Sequence, residues 1–230
     1  MNKISTTHTK AKGFTLLELL IVIAIIAILA TIIVIIINPV EILKRARDVQ
    51  RLSDLASTRT AIALYLTGVA NPSLDGQTGE DQNDRCKSAN NAWTTAGRIF
   101  YSYDSSTNDI TDEVFDGTSD LSARTSNSPS RVDGTGWIPI DLGSSLSGSS
   151  PLSNYPLDPL NTIANLASVE NSDTVYRYAC RVSPLSFELN ATLESQMYTE
   201  VDNKQESDGG DNANLYEIGT RLDILGSGQF

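Results

Sequence analysis

Glu18 stands inside an apolar run, Thr15 to Ile37, that only it and Thr31 interrupt. An acid in such a segment costs on the order of 3 kcal/mol at the centre of a bilayer and less near an interface. Glu18 falls in the first turn of the helix this run predicts, where the helix dipole favours an anion. It could snorkel to lipid headgroups. A cut after Gly13 would supply a closer partner, a new α-amine on Phe14. Within one helix that amine is near but badly aimed; between two staggered helices it can meet Glu18 directly.

Three other groups have chemistry to offer. Cys86 and Cys180 are the minimum for one disulfide, which an exported domain can keep oxidised. Residues 200–217 gather acids and amides around Gly209-Gly210. Oxygens clustered on a glycine turn could hold Ca²⁺, with Asp202, Asp208, Asp211, Asn212 and Asn214 as candidate ligands. The spacing does not match an EF-hand, and a solvated acidic turn is the competing reading. Asn190-Ala191-Thr192 is a glycosylation-type tripeptide. It falls on a strand face predicted to be wet, and a single triplet is what chance supplies. The sole histidine, His8, precedes Gly13. Without it, Ser-His, Cys-His and zinc-histidine chemistry is not available. No phosphate loop, dinucleotide fingerprint or metal-binding helix motif is present.

The elements that must position these residues follow from composition. Residues 1–13 carry Lys3, Lys10 and Lys12 and no acid. Leu19–Ile37 would span roughly 28 Å as a helix, close to a bilayer core of about 30 Å. It is too long for a secretory signal and lacks the small residues at its end that a signal peptidase needs. At Asn38-Pro39-Val40-Glu41, Asn38 can cap a new helix, Pro39 suits its first position and Glu41 its third. A kink or break is expected there. From 40 to 67 the period is helical. Ile42, Ala46, Val49, Leu52, Ala56, Ala63 and Leu64 fall on one side; Lys44, Arg47, Arg51 and Asp54 fall opposite. Leu55, Ile62 and Leu66 break the pattern on the polar side, which suits a helix buried on two faces.

Residues 68–98 read as a polar loop holding Cys86, and Arg98–Tyr103 as a short strand. Residues 104–136 read as a polar insertion, mobile or draped on the surface. Thr174–Val182 and Leu185–Glu194 alternate as strands of a hairpin around Pro184, and Leu215–Thr220 is a third. The first puts Tyr176, Tyr178, Cys180 and Val182 on one face and Arg177 and Arg181 on the other. One apolar and one wet face predict a sheet covered on one side, by the long helix. The fold class is α+β: a long N-terminal helix packed on an antiparallel sheet.

The N-terminal residues also carry a resemblance. Gly13-Phe14-Thr15-Leu16-Leu17-Glu18, followed by an unbroken run of Leu, Ile, Val and Ala, is similar to the class III leader junction of type IV pilins and type II secretion pseudopilins. The resemblance implies cleavage after Gly13 by a prepilin peptidase, N-methylation of Phe14 and a role for Glu18 in docking each subunit. It implies a leader (1–13), a membrane and fibre-core helix (14–38), an amphipathic continuation (39–67) and an extracellular domain (68–230). It also implies passage through the inner membrane before display outside the cell. Pseudopilins that resemble this chain bind calcium in a C-terminal loop.

The expected function is a structural, non-enzymatic subunit of a pilus-like filament, with copies of itself, prepilin peptidase and the pilus assembly machinery as partners. A pseudopilin of a type II secretion system is the alternative, and a membrane-tethered binding protein that never polymerises a second. The net charge is −11, and residues 60–230 hold 9 basic against 24 acidic residues, a net −15. So acidic a surface repels phosphate backbones and argues against nucleic-acid binding.

Overall fold

The computed structural model describes residues 13–90, 92–93, 98–103, 110–112, 121–123, 128–146, 149–166 and 169–226. The basic leader and much of the polar insertion lie outside these. The chain divides into two units, Met1–Ile42 and Leu43–Phe230.

The first unit is dominated by helix α1 (Leu16–Ile37), capped by Thr15. It ends at Asn38, which takes a left-handed backbone with φ 46° and ψ 77°. Asparagine tolerates that conformation better than most residues. Its side-chain oxygen then accepts the Glu41 N–H at 3.4 Å, and Pro39 opens helix α2 (Pro39–Gly68). One residue therefore closes one helix and caps the next.

The second unit contains most of α2 and a four-stranded antiparallel sheet. The strands are β1 (Phe100–Tyr101), β4 (Tyr176–Arg181), β5 (Ser186–Ala191) and β6 (Tyr216–Gly219), ordered β1-β4-β5-β6. A separate hairpin pairs β2 (Ile110–Asp112) with β3 (Leu121–Ala123). Short helices α3 (Leu142–Ser145) and α4 (Lys204–Ser207), a 3₁₀ turn (Gly79–Asp81) and a π-helical turn (Met197–Val201) complete the described elements. The β4–β5 register runs from Tyr176↔Ala191 to Arg181↔Ser186, closed by a turn over 182–185.

The main core lies between α2 and one face of the sheet. Leu55, Ala61, Ile62 and Tyr65 meet Tyr176, Tyr178, Cys180, Phe187, Leu189 and Ala191. The residues from α2 are on the side that the sequence pattern reads as polar. Its buried set is Asp48, Arg51, Leu55, Thr58, Ala61, Ile62 and Tyr65, while Ile42, Val49 and Leu64 are about half exposed. Hydrophobic periodicity misplaces the inner face because two of its inward residues are charged and find their partners far away in sequence.

The sheet is covered on both faces, not one, so the expected wet face is corrected. Every residue of β4 and β5 is buried. On the second face Trp93, Ile99, Tyr101, Val169, Val175, Ala179, Leu215, Ile224 and Leu225 form another core. Alternation suggests a wet face because Arg177, Arg181, Glu188 and Asn190 are polar. These side chains are buried under loops, and the two arginines donate to loop backbone: Arg177 to the carbonyls of Glu170, Asp173 and Val175, Arg181 to that of Ala89. Asn190 is wholly buried, so its tripeptide is closed to a glycosylating enzyme.

The end of the polar insertion is also corrected. Residues 128–136 are tied into the fold. The Trp137 N–H donates to Pro129 at 2.8 Å, the Leu142 N–H to Val132 at 2.8 Å and the Tyr155 N–H to Ser130 at 2.7 Å. Gly136 packs so tightly against the backbone of Arg131 and Pro129 that any Cβ would collide with their carbonyls. Trp137, Ile138, Ile140 and Leu142 are all fully buried behind it.

Candidate functional site

The first turn of α1 is built by reciprocal bonds. The Thr15 hydroxyl accepts the Glu18 N–H at 3.2 Å, and Glu18 Oε2 accepts the Thr15 N–H and Oγ1–H, each at 3.0 Å. This capping box satisfies two of the amides that every helix start leaves open. It also turns the only carboxylate of α1 back toward Phe14. Phe14 is three-quarters exposed, and a Cβ on Gly13 would meet nothing within 4 Å. Among the described residues, little covers the segment Gly13-Phe14.

The rest of α1 is bare as well. Leu16–Val34 is long and apolar enough to cross a membrane, and none of it is buried by the protein. A helix that is apolar all round belongs in lipid or among other helices.

Residues 8–34 match the model of the prokaryotic N-terminal methylation motif. The chain carries the class III prepilin leader of type IV pilins and pseudopilins. No curated protein and no solved structure matches the chain. The chain thus has a family-typical N-terminal segment, and the match does not extend past residue 34. Its α+β architecture, a long helix with an antiparallel sheet, is pilin-like, and its leader with the apolar helix fits a precursor anchored in the inner membrane.

In the second unit Cys86 and Cys180 are joined in a disulfide. Asp75 prepares the loop that delivers Cys86. Its carboxylate accepts the N–H groups of Gln77, Asn83 and Arg85 at 3.0–3.1 Å. The chain then runs along β4 beyond the end of β1. The Lys87 N–H donates to Cys180 at 2.8 Å, and the Val182 N–H donates to Lys87 at 2.9 Å. Cys86 thus arrives at the sheet edge beside Cys180.

Three of the five candidate calcium ligands, Asp202, Asp208 and Asn212, spend side-chain oxygens on other groups of the protein. Asp202 pairs with Lys204 at 2.9 Å. Asp208 spends both oxygens on backbone, accepting the Gly210 N–H at 2.8 Å and the Glu217 N–H at 2.7 Å. Asn212 Oδ1 accepts the Asn214 N–H at 3.0 Å. Among the described residues no three His, Cys, Asp or Glu side chains converge as a metal would require. Asp208 instead blunts the edge strand β6 by capping an outward amide, and Arg59 does the same for the Gly219 carbonyl at 3.1 Å.

A buried polar cluster around Arg51 is invisible in the sequence. Arg51, fully buried in α2, holds Asp158 with two bonds of 2.7 and 3.0 Å, Asp48 at 2.9 Å and Glu194 at 2.5 Å. Arg47 adds a two-pronged contact to Glu194 at 2.8 and 2.9 Å. Asp48 in turn accepts the N–H groups of Glu194 and Ser195. Nearby, Tyr176 donates its hydroxyl to Asp54 at 2.9 Å. Burial alone would raise the Glu194 carboxyl, but Arg47 and Arg51 outweigh it and hold it below the usual value of 4.5. Its stabilisation is therefore present above about 4.5 and is lost as pH falls below that. The Asp158-Pro159 turn looks in sequence like a rigid corner only. That Arg51 and Asp158 are 107 residues apart is why no local pattern reveals the pair.

Proposed function

We propose that this chain is a filament subunit that is processed after Gly13 and polymerises through α1 into a pilus-like fibre. The bareness of α1 around its single carboxylate carries the reading. While the precursor is in the membrane, lipid covers the apolar surface. Removal of the leader would free the Phe14 amine. Glu18, held at the helix start by Thr15, is then placed to accept the ammonium of a neighbouring subunit. Pairing neutralises a charge whose presence in an apolar setting is costly, which supplies a direction for leaving lipid. The apolar α1 helices would form the fibre core and the acidic domains its surface. The half-exposed Ile42, Val49 and Leu64 of α2 would extend the contact.

Glu18→Ala is the test. The variant should insert in the inner membrane and be cleaved by prepilin peptidase, with Phe14 at its N-terminus by sequencing. Sheared surface material should contain no fibres by electron microscopy. Normal fibres from this variant would refute the docking role. Wild-type fibres outside the cell, carrying this chain with N-methylated Phe14, would place it in a surface pilus. Fibres that depend on a type II secretion apparatus would place it in a pseudopilus.

A further inference from the structure

On the second face of the sheet, two glutamates are buried side by side. Glu188 on β5 and Glu217 on β6 are 0% and 1% exposed. The register pairs Glu188 with Gly219 and Asn190 with Glu217, so the two carboxyls are diagonal neighbours on one face. Each spends one oxygen on backbone. Glu188 Oε2 accepts the Ile224 N–H at 2.7 Å and the Leu225 N–H at 3.1 Å. Glu217 Oε2 accepts the Asn212 N–H at 3.0 Å. Each Oε1 is buried with no donor supplied by another residue. The two unpartnered oxygens thus belong to diagonal neighbours on one sheet face. Ionised carboxylates only accept, so a bond between them needs a proton.

We propose that Glu188 and Glu217 share one proton and form a latch, which holds the acidic loop (through Asn212) and the C-terminal segment (through Ile224 and Leu225) on the second face and releases them as pH rises. Losing the proton to water leaves two buried anions in contact, an arrangement that expels one or both. The surroundings bring charges of both signs, because Arg177 and Arg181 flank Ala179, the residue opposite Glu188. Asp211 of the acidic loop adds a third negative charge near both carboxyls. Asp223 of the C-terminal segment adds another beside Asp211, though it is paired with Arg221. From β4, Arg177 donates to loop carbonyls and Arg181 to Ala89. Lys87, beside β4, donates to the Ile224 carbonyl at 2.5 Å and lies over the Trp93 ring. Lys87 thus holds the same segment by its C=O that Glu188 holds by its N–H groups.

Burial pushes both carboxyls above their usual value of 4.5, and the neighbouring Glu188 raises Glu217 further. A carboxyl that binds its proton more tightly when folded stabilises the fold at low pH. That contribution is lost as pH rises from 4.5 through the pair's own titration. The sign is opposite to that of Glu194.

The experiment is hydrogen exchange on the full-length protein in detergent with EDTA, between about pH 5 and about pH 9, corrected for intrinsic exchange. Protection of the Ile224 and Leu225 amides should fall roughly tenfold or more across that range in the wild type. In Glu217→Gln an amide replaces the shared proton as donor, and protection should stay within about twofold. An equal slope in both proteins, or none in the wild type, overturns the latch. So does a slope that calcium abolishes, since the carboxylates would then serve a cation. Infrared spectroscopy gives a check that needs no variant: the wild type should show a protonated-carboxyl band near neutral pH that disappears at alkaline pH. Its absence near neutral pH overturns the proposal.

Discussion

Replacing Arg51 with methionine is expected to destabilise the domain by about 3–5 kcal/mol, the cost of leaving a buried charge without its partner. The guanidinium is fully buried and bonds three carboxylates, and it is the cation that Asp158 binds with both oxygens. Its removal leaves Asp158 with only the N–H groups of Leu160 and Asn161. Methionine restores the volume of the stem, so the effect reads out charge and hydrogen bonds, not a cavity. Arg51→Lys should fall between, because an ammonium cannot reproduce the two-pronged contact. Denaturant titration at neutral pH measures both. A loss below about 1 kcal/mol for Arg51→Met would mean that water reaches the cluster and that its geometry carries little stability. The Arg51→Met/Asp158→Asn double variant should lose less than the sum of its parts, since each single change strands the other group.

Removing the disulfide should have a comparable effect by a different route. Cys86 and Cys180 are 94 residues apart, and a crosslink of that span restrains the unfolded chain by roughly 4–5 kcal/mol in the chain-entropy picture, with about 2–4 typical of measured cases. Cys86→Ala/Cys180→Ala is the appropriate variant, because a single change leaves a reactive thiol. The thermal midpoint should drop on the order of 10 °C. Native protein should resist thiol reagents and slow reductants, since both cysteines are at most 1% exposed. Labelling of both thiols in native protein without reductant would reject the bond. An unchanged midpoint in the double variant would show that Asp75 and the Lys87 bridge already fix the loop.

Legibility from sequence differed sharply between the two ends of the chain. At the N-terminus everything needed is local. Thr15 and Glu18 are three residues apart, Asn38 and Glu41 likewise, and an all-apolar run has no face to misassign. Alternation in β4 and β5 is local too, and it identifies Tyr176, Tyr178, Phe187 and Leu189 as core. Patterns failed where burial is achieved by pairing. Arg51 and Asp48 look like solvent-facing residues of an amphipathic helix. Arg177, Glu188 and Asn190 look like the wet face of a sheet. Each is buried because a distant segment supplies a partner or a cover, and hydrophobic periodicity counts residue types, not partners.

The sequence by itself determined the methylation-motif segment, the apolar helix with its single acid, the break at Asn38 and the strand order of the hairpin. These depend on spacings of a few residues and on interactions that any chain with those residues makes. Only the tertiary structure decided which side of α2 faces the sheet, that the sheet has a second core, and that Asp208 of the acidic loop bonds the backbone of Gly210 and Glu217. It also brought Glu188 and Glu217 together from 29 positions apart. The physical reason is the same in each case. Charged and polar groups carry no inherent preference for the interior; they enter it only when another part of the chain meets their hydrogen bonds.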